Sequence, residues 1–413
     1  MEGDLIKTHE WLLPFSWLYG AGVCLRNWLF NVGLLHQQTY DIPVISVGNI
    51  TVGGTGKTPH VEYLIRLLKN VAKVAVLSRG YKRKSHGYVL ADANSTVADI
   101  GDEPFQMKQK FNDVYVAVDA KRREGINRLT HDEESKDVDV ILLDDAFQHR
   151  YVKPGINILL VDYHRLIIYD KLLPAGRLRE PLSGKRRADF VIITKCPDDL
   201  KPMDIRVLTK AMNLYPYQEL FFTTMKYGEC FPLYPQQGTK SLKELKGLNV
   251  LLITGIASPE EMRNDLQTKC RSLQSLTFGD HHAFKQKDVE NINETFASMG
   301  SPKVVITTEK DSTRLLQTEG LSEEVKNALY VQPIEVKFMQ EQEELFNNKI
   351  ISYVQKNSRN SIIFAPIDRL SPMFKDVTLA RLKKLKKGVR LPTKESSFPF
   401  YLALELALLL CYF

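Results

Sequence analysis

At 413 residues, with 44% apolar and 25% charged side chains, the chain is long enough for two or three domains and has the balance of a globular protein with a sizeable core. Its net charge of +7 favours anionic partners in general, whether nucleic acid, phosphorylated substrate or acidic lipid. The five cysteines (Cys24, Cys196, Cys230, Cys270, Cys411) show no paired spacing, which argues against a disulfide framework or a zinc knuckle and fits a reducing compartment.

The chain opens with an aromatic segment, 1–40, that holds Trp11, Trp17 and Trp28, all the tryptophans there are. Trp17, Ala21, Cys24 and Trp28 recur at helical spacing, with Leu18, Leu25 and Leu29 on an adjoining stripe. No charge falls between Trp11 and Leu25, yet that stretch is shorter than the roughly 18–20 residues a bilayer span needs. No basic leader or small-residue cleavage site marks a signal peptide. Two readings stand, a core helix or a helix resting in a membrane interface, where Trp and Tyr prefer the headgroup level.

Short β-branched runs then alternate with helical stretches: Val44–Val47, Val74–Leu77, Val114–Val118, Val140–Leu143, Ile156–Val161 and Phe190–Thr194. Runs that are apolar nearly throughout suit parallel strands covered on both faces. They predict a doubly wound parallel α/β sheet of the P-loop NTPase type over 41–220. Residues 221–236 read as a linker strand. A second, smaller α/β unit follows over 237–355, with strands at Val250–Thr254, Leu273–Phe278 and Val304–Thr307, and Leu329–Val336 returning beside the linker strand. The tail, 356–413, carries the basic run Arg381–Arg390 and a mostly apolar end, read as a solvated face or a membrane-surface segment.

After the first strand run comes Thr51-Val52-Gly53-Gly54-Thr55-Gly56-Lys57-Thr58-Pro59-His60, and His60–Asn70 reads as the helix that follows. A strand ending in a glycine-rich turn that opens a helix cradles polyphosphate: Gly53, Gly54, Thr55 and Gly56 let backbone N–H groups approach the oxygens. Lys57 reaches the β/γ-phosphates and the Thr58 hydroxyl ligates Mg²⁺. The first glycine of the usual pattern is replaced by Thr51. The strand Val140–Leu143 ends in Asp144 and Asp145, carboxylates placed to help hold Mg²⁺ beside such a cradle. Adjacent acids recur at Gly101-Asp102-Glu103-Pro104, read either as a helix-capping turn or as a pair in which one orders Mg²⁺ and its neighbour accepts a proton from an attacking hydroxyl. In Phe278-Gly279-Asp280-His281-His282-Ala283-Phe284, the adjacent histidines point different ways, against a shared metal, and taken alone read as surface side chains first; the other reading is one histidine orienting a catalytic carboxylate across an interdomain cleft. Arginines gather in Ser78-Arg79-Gly80-Tyr81, Lys121-Arg122-Arg123 and the stretch 173–180, suited to bidentate phosphate contact. They are not interleaved with aromatics, which speaks against nucleic acid. A guanine-reading motif is missed at Thr194-Lys195-Cys196-Pro197, with Asp198 one position late.

Taken together, VGNITVGGTGKTP, SRGYKRK, GDEP, LLDDAFQHR, LPAGRLRE, ITGIASP, FGDHHAF and TTEKDSTRL resemble, in that order, the tetraacyldisaccharide 4'-kinase family, the lipid A 4'-kinases of Gram-negative bacteria. Ala146 stands where the family commonly has glycine. The resemblance implies ATP-dependent phosphorylation of the 4'-hydroxyl of a tetraacylated glucosamine disaccharide 1-phosphate, the lipid A precursor. It also implies two α/β domains joined by a two-stranded linker. The enzyme would be peripheral on the cytoplasmic face of the inner membrane, approaching acidic lipid through its N-terminal helix. By position, Asp102 resembles the catalytic base, paired with His281 in preference to His282. Glu103, Asp144 and Asp145 resemble residues arranging Mg²⁺, while Tyr81, Arg122, His149, Arg179 and Glu180 match positions lining the site. The oligomeric state stays open, and a monomer is compatible with every feature above. The competing expectation is a membrane-associated P-loop switch ATPase acting on a protein partner.

Overall fold

The computed structural model describes residues 8–234, 242, 244–256, 259–279 and 282–358. The tail motifs beyond residue 358, and His281 itself, lie outside the described residues.

In chain order the strands are β1 (Val44–Gly48), β2 (Val74–Ser78), β3 (Val89–Leu90), β4 (Tyr115–Val118), β5 (Val140–Asp144), β6 (Ile156–Asp162) and β7 (Phe190–Thr194). They continue as β8 (Glu219–Tyr227), β9 (Phe231–Pro232), β10 (Asn249–Thr254), β11 (Ser272–Thr277), β12 (Lys303–Thr308), β13 (Leu329–Gln332) and β14 (Ile334–Phe338). The α-helices are α1 (Leu13–Asn31), α2 (Lys57–Leu68), α3 (Val97–Ile100), α4 (Asp102–Lys110), α5 (Arg122–His131) and α6 (Pro202–Met212). The rest are α7 (Glu260–Lys269), α8 (Gln286–Ser298), α9 (Glu309–Leu315), α10 (Glu323–Ala328) and α11 (Glu343–Asn357).

Among the described residues the strands form two sheets, ordered β14-β8-β7-β6-β1-β5-β2-β4-β3 and β11-β10-β12-β13-β9. In the first, β8 through β4 run parallel, and β14 and β3 close the edges antiparallel. Strands β1, β2, β5 and β7 are buried at every position, because helices cover both faces. The chain winds one way from β1 toward β2 and the other way toward β6. The carboxyl end of β1 therefore lies at the switch point, where doubly wound sheets bind ligands.

The run expected over Leu329–Val336 is broken by Pro333, which lacks a ladder donor. Leu329–Gln332 pairs with β12 in the second sheet, whereas Ile334–Phe338 pairs with β8 in the first. The chain thus crosses between the sheets twice, and the crossings clasp where Gly228 N–H donates to the Pro333 carbonyl at 3.0 Å. Helix α11 then returns to the first core, where Phe346 packs on Phe338 and Phe221 with ring centroids 4.6 and 5.2 Å apart. The span expected as the second unit, 237–355, thus contributes its last strand and helix to the first sheet.

Helix α1 buries Ser16, Gly20 and Phe30. Outward it shows Trp11 (75% exposed), Phe15, Trp17 (70%), Leu18 (75%), Leu25 and Trp28. Over its first half Ser16 and Gly20 face the protein while Phe15, Trp17 and Leu18 face out, the reverse of an ordinary surface helix; Phe30 is buried near its end. Among the described residues no helix is long and apolar enough to cross a membrane.

Candidate active site

The phosphate loop leaves β1 and enters α2 at Lys57, three residues earlier than the helix expected from His60. Gly56 is left-handed (φ +79°), a conformation that L side chains rarely adopt, and its Cα packs beside the Met225 side chain on β8. Behind the loop, Asn49 donates to the Thr55 hydroxyl (2.9 Å) and Thr194, at the end of β7, donates to the Thr55 carbonyl (3.0 Å). His60 lies 2.7 Å from the Gly56 carbonyl and 3.1 Å from the Thr223 hydroxyl. Burial pulls His60 down to about 4, so near pH 7 its neutral ring donates from Nδ1 to that carbonyl and accepts at Nε2.

Lys57 rests against Asp145, Nζ to Oδ1 at 3.4 Å. Asp145 carries left-handed backbone (φ +47°) at the tip of β5, whereas Ala146 is not left-handed. A methyl group is therefore accommodated where the family commonly has glycine.

Its neighbour Asp144 is 1% exposed; Ser78, at the end of adjacent β2, donates to Oδ2 at 3.0 Å. Oδ1 is buried without a hydrogen-bond partner. Burial, then the charges of Glu103 and Asp145, push this carboxyl up to about 7. A buried carboxylate oxygen left open beside two further acids fits a divalent cation, with Glu103, Asp144 and Asp145 in electrostatic reach of one another. Among the described residues no three His, Cys, Asp or Glu side chains close into a metal cage. Mg²⁺ is usually bound through one or two carboxylates, with phosphate and water oxygens completing its octahedron.

The GDEP turn opens α4. Gly101 has φ +90°, and a Cβ on it would sit 2.9 Å from the Tyr81 carbonyl oxygen, so this turn and the SRGY loop are backbone against backbone. The Tyr81 ring is 64% exposed beside them. Arg122 is buried; its guanidinium donates to the carbonyls of Asp119 and Asp144 (3.0 Å to the latter), and burial lowers it to about 10. His149 is lowered to about 4 by burial and then by Arg122, Arg26, Arg79 and Arg123, so it is a neutral imidazole among arginines.

Arg179 braces the phosphate loop. Its Nε donates to the Thr51 carbonyl (2.9 Å), and Nη2 donates to Asn49 Oδ1 and lies 3.7 Å from Asp145. Glu180 is 1% exposed and pairs with Arg187, whose guanidinium covers the Phe147 ring, so it anchors this stretch from beneath. Helix α1 is tied to the same stretch: Ser16 donates to the Leu172 carbonyl (3.0 Å) and Tyr19 to the Arg179 carbonyl (2.8 Å).

From the second sheet, Arg314 on α9 reaches Asp102, with Nη2 at 2.9 Å and Nε at 3.2 Å from Oδ2. His282 instead lies 2.8 Å from Asp288 and stacks on Phe278. Two supporting residues lie inside the quoted stretches SRGYKRK and TTEKDSTRL, though sequence alone assigns neither a role. Ser78 becomes legible only from the pairing of β2 with β5, and Arg314 only from the spacing of Asp311 and Arg314 on one short helix.

A phosphate loop at the switch point with acids on the next strand end places the chain among the P-loop nucleotide-binding proteins. The model of the family described as Tetraacyldisaccharide-1-P 4'-kinase matches residues 8–353, and the chain belongs to that family of kinases. Tetraacyldisaccharide 4'-kinase of Phocaeicola vulgatus is 59% identical over 363 residues, 87% of this chain and 99% of that protein. The protein of the same name from Bacteroides thetaiotaomicron is 51% identical over 370 residues, 87% of this chain and 97% of the relative. A crystal structure of LpxK from Aquifex aeolicus in complex with ATP superposes with a TM-score of 0.64 at 29% identity, covering 84% of this chain and 98% of that one. A switch ATPase acting on a protein partner is not favoured beside these relatives.

Proposed function

We propose that this kinase transfers the terminal phosphoryl group of ATP to the 4'-hydroxyl of a tetraacylated glucosamine disaccharide 1-phosphate, with Asp102 as the general base. The observation that carries this reading is the convergence at the carboxyl ends of the central strands of the first sheet of Lys57, the open carboxylate of Asp144 and the GDEP turn. Lys57 and the loop amides at Gly53–Gly56 bind and orient the β- and γ-phosphates. Glu103, Asp144, Asp145 and Thr58 would hold Mg²⁺, which neutralises developing charge on the phosphoryl oxygens. Asp102 takes the proton of the acceptor hydroxyl. His281 is the expected partner of that base, a reading supported by the commitment of His282 to Asp288. Arg122, His149 and Tyr81 line the approach, and Arg179 holds the loop in shape.

The lipid is expected to arrive along α1, whose exposed aromatic face suits the headgroup layer of an acidic cytoplasmic leaflet and whose inner face is bonded to the strap bracing the phosphate loop. Thin-layer analysis of label transferred from γ-³²P-ATP to the acyl disaccharide phosphate tests the chemistry; ATP turnover indifferent to the lipid would overturn it. For the membrane route, Trp17→Glu should weaken flotation with phosphatidylglycerol vesicles by roughly 10-fold. Unchanged flotation would remove α1 as the anchor.

A further inference from the structure

Helix α4, which begins with the GDEP acids, lies against α9 of the second sheet, and charge pairs join both ends of the two helices. At the far end Lys110 bridges Glu62 (2.6 Å), inside the first sheet's core, and Glu309 at the start of α9. At the near end the Arg314 guanidinium is shared between two carboxylates. Nη2 and Nε face Asp102, and Nη1 donates to Asp311 Oδ1 at 3.0 Å.

Asp311 is fully buried, and both its oxygens are used. Oδ2 accepts from the Gly255 amide (2.9 Å) and from the Thr308 hydroxyl (2.7 Å). A Cβ on Gly255 would meet Asp311 Oδ1 and the Gly279 carbonyl oxygen, each at 3.1 Å. The ends of β10, β11 and β12 thus meet around Asp311, whose pairing leaves Arg314, only 9% exposed, a single orientation, toward Asp102.

A guanidinium fixed at one end by a buried carboxylate is a rigid support for the other. We propose that Arg314 is a positioning residue. Held by Asp311, it sets the angle and place of the Asp102 carboxylate, so the second sheet supplies the geometry of the base. The proposal deepens the reading of Asp102 as general base and rests on it. It makes turnover, rather than ATP affinity, the quantity that depends on Arg314, since a base held out of line leaves the phosphate loop untouched.

The test is a double-mutant cycle on the full chain, measuring label transfer from γ-³²P-ATP to the acyl disaccharide phosphate. Arg314→Met should lower kcat roughly 30-fold with the KM for ATP changed by less than about 3-fold, and Arg314→Lys should recover part of the loss. Combined with Asp102→Ala, Arg314→Met should cost less than about 2-fold more than Asp102→Ala alone, because there is then no carboxylate to place. Should Arg314→Met misfold, Arg314→Met/Asp311→Asn removes the buried carboxylate with its cation and takes its place in the cycle. A loss of equal size on both backgrounds, or an undiminished kcat in Arg314→Met, overturns the positioning role. Near-normal turnover of Asp102→Ala would instead overturn the base itself, whatever Arg314 does.

Discussion

Two aspartates in this molecule are equally buried and each hydrogen-bonded to a strand-end hydroxyl, yet they have different fates. Asp144 takes one bond from Ser78, keeps a second oxygen open, and is pushed up to about 7. Asp311 takes Thr308 and the Gly255 amide on one oxygen and Arg314 on the other. Burial is common to both, so burial alone does not make a site. What separates them is completeness: the first sheet leaves charge unfinished where a ligand would complete it, and the second finishes its charge with its own residues.

The sharpest way to break that comparison is at the phosphate loop. Lys57 rests against Asp145 at 3.4 Å, a partly exposed pair worth little to stability, and its charge also bears on buried Asp144. Lys57→Met should therefore leave the denaturation midpoint almost unmoved while kcat falls roughly 10³-fold. Near-normal turnover in a steady-state assay would mean that the open pair is not waiting for phosphate.

Asp144→Asn comes next, with turnover expected to fall roughly 10²-fold or more. Its stability should move the opposite way. The carboxyl is raised above its ordinary value by burial, so its contribution is fully present below about pH 4 and is lost as pH rises through about 7. Without metal, the native chain should therefore weaken as pH rises from about 4 to about 7 and level off above, and the asparagine variant should not. Near pH 8.5 the variant gains on the order of 3 kcal/mol in denaturant titrations with chelator present. A gain that is absent, or that persists at pH 4, would show that Asp144 is compensated as Asp311 is.

The parallel strands were legible because both-face burial writes itself as short apolar runs; the predicted run Phe190–Thr194 is β7 itself. So was the glycine-rich turn between β1 and α2, whose residues are contiguous in sequence. Legibility fails where a pairing joins distant residues. Asp102 and Arg314 are 212 positions apart, and nothing local to either says that they meet. Arginines are ambiguous for the same reason: Arg179 is a brace for the loop, and Arg122 is buried with its guanidinium on two carbonyls. The tryptophan segment could not be decided by periodicity, because a stripe of aromatics at helical spacing is the same stripe whether it turns in or out. Ser16 and Gly20 decide it by packing inward.

The gentlest test probes the finished side. Thr308 caps α9 by accepting from the Asp311 amide (3.1 Å) while its hydroxyl donates to the Asp311 carboxylate. Thr308→Val keeps the shape and removes both bonds, and should cost about 1–2 kcal/mol in urea denaturation. Oδ1 of Asp311 still holds Arg314, and the Gly255 amide still holds Oδ2, so the support behind Asp102 survives. The kcat should stay within about 3-fold of the parent, because general-base efficiency depends on where the carboxylate sits and not on the depth of the fold's stability. A collapse of turnover comparable to that of Asp144→Asn would place this strand end inside the chemistry and erase the distinction between the finished and the unfinished aspartate.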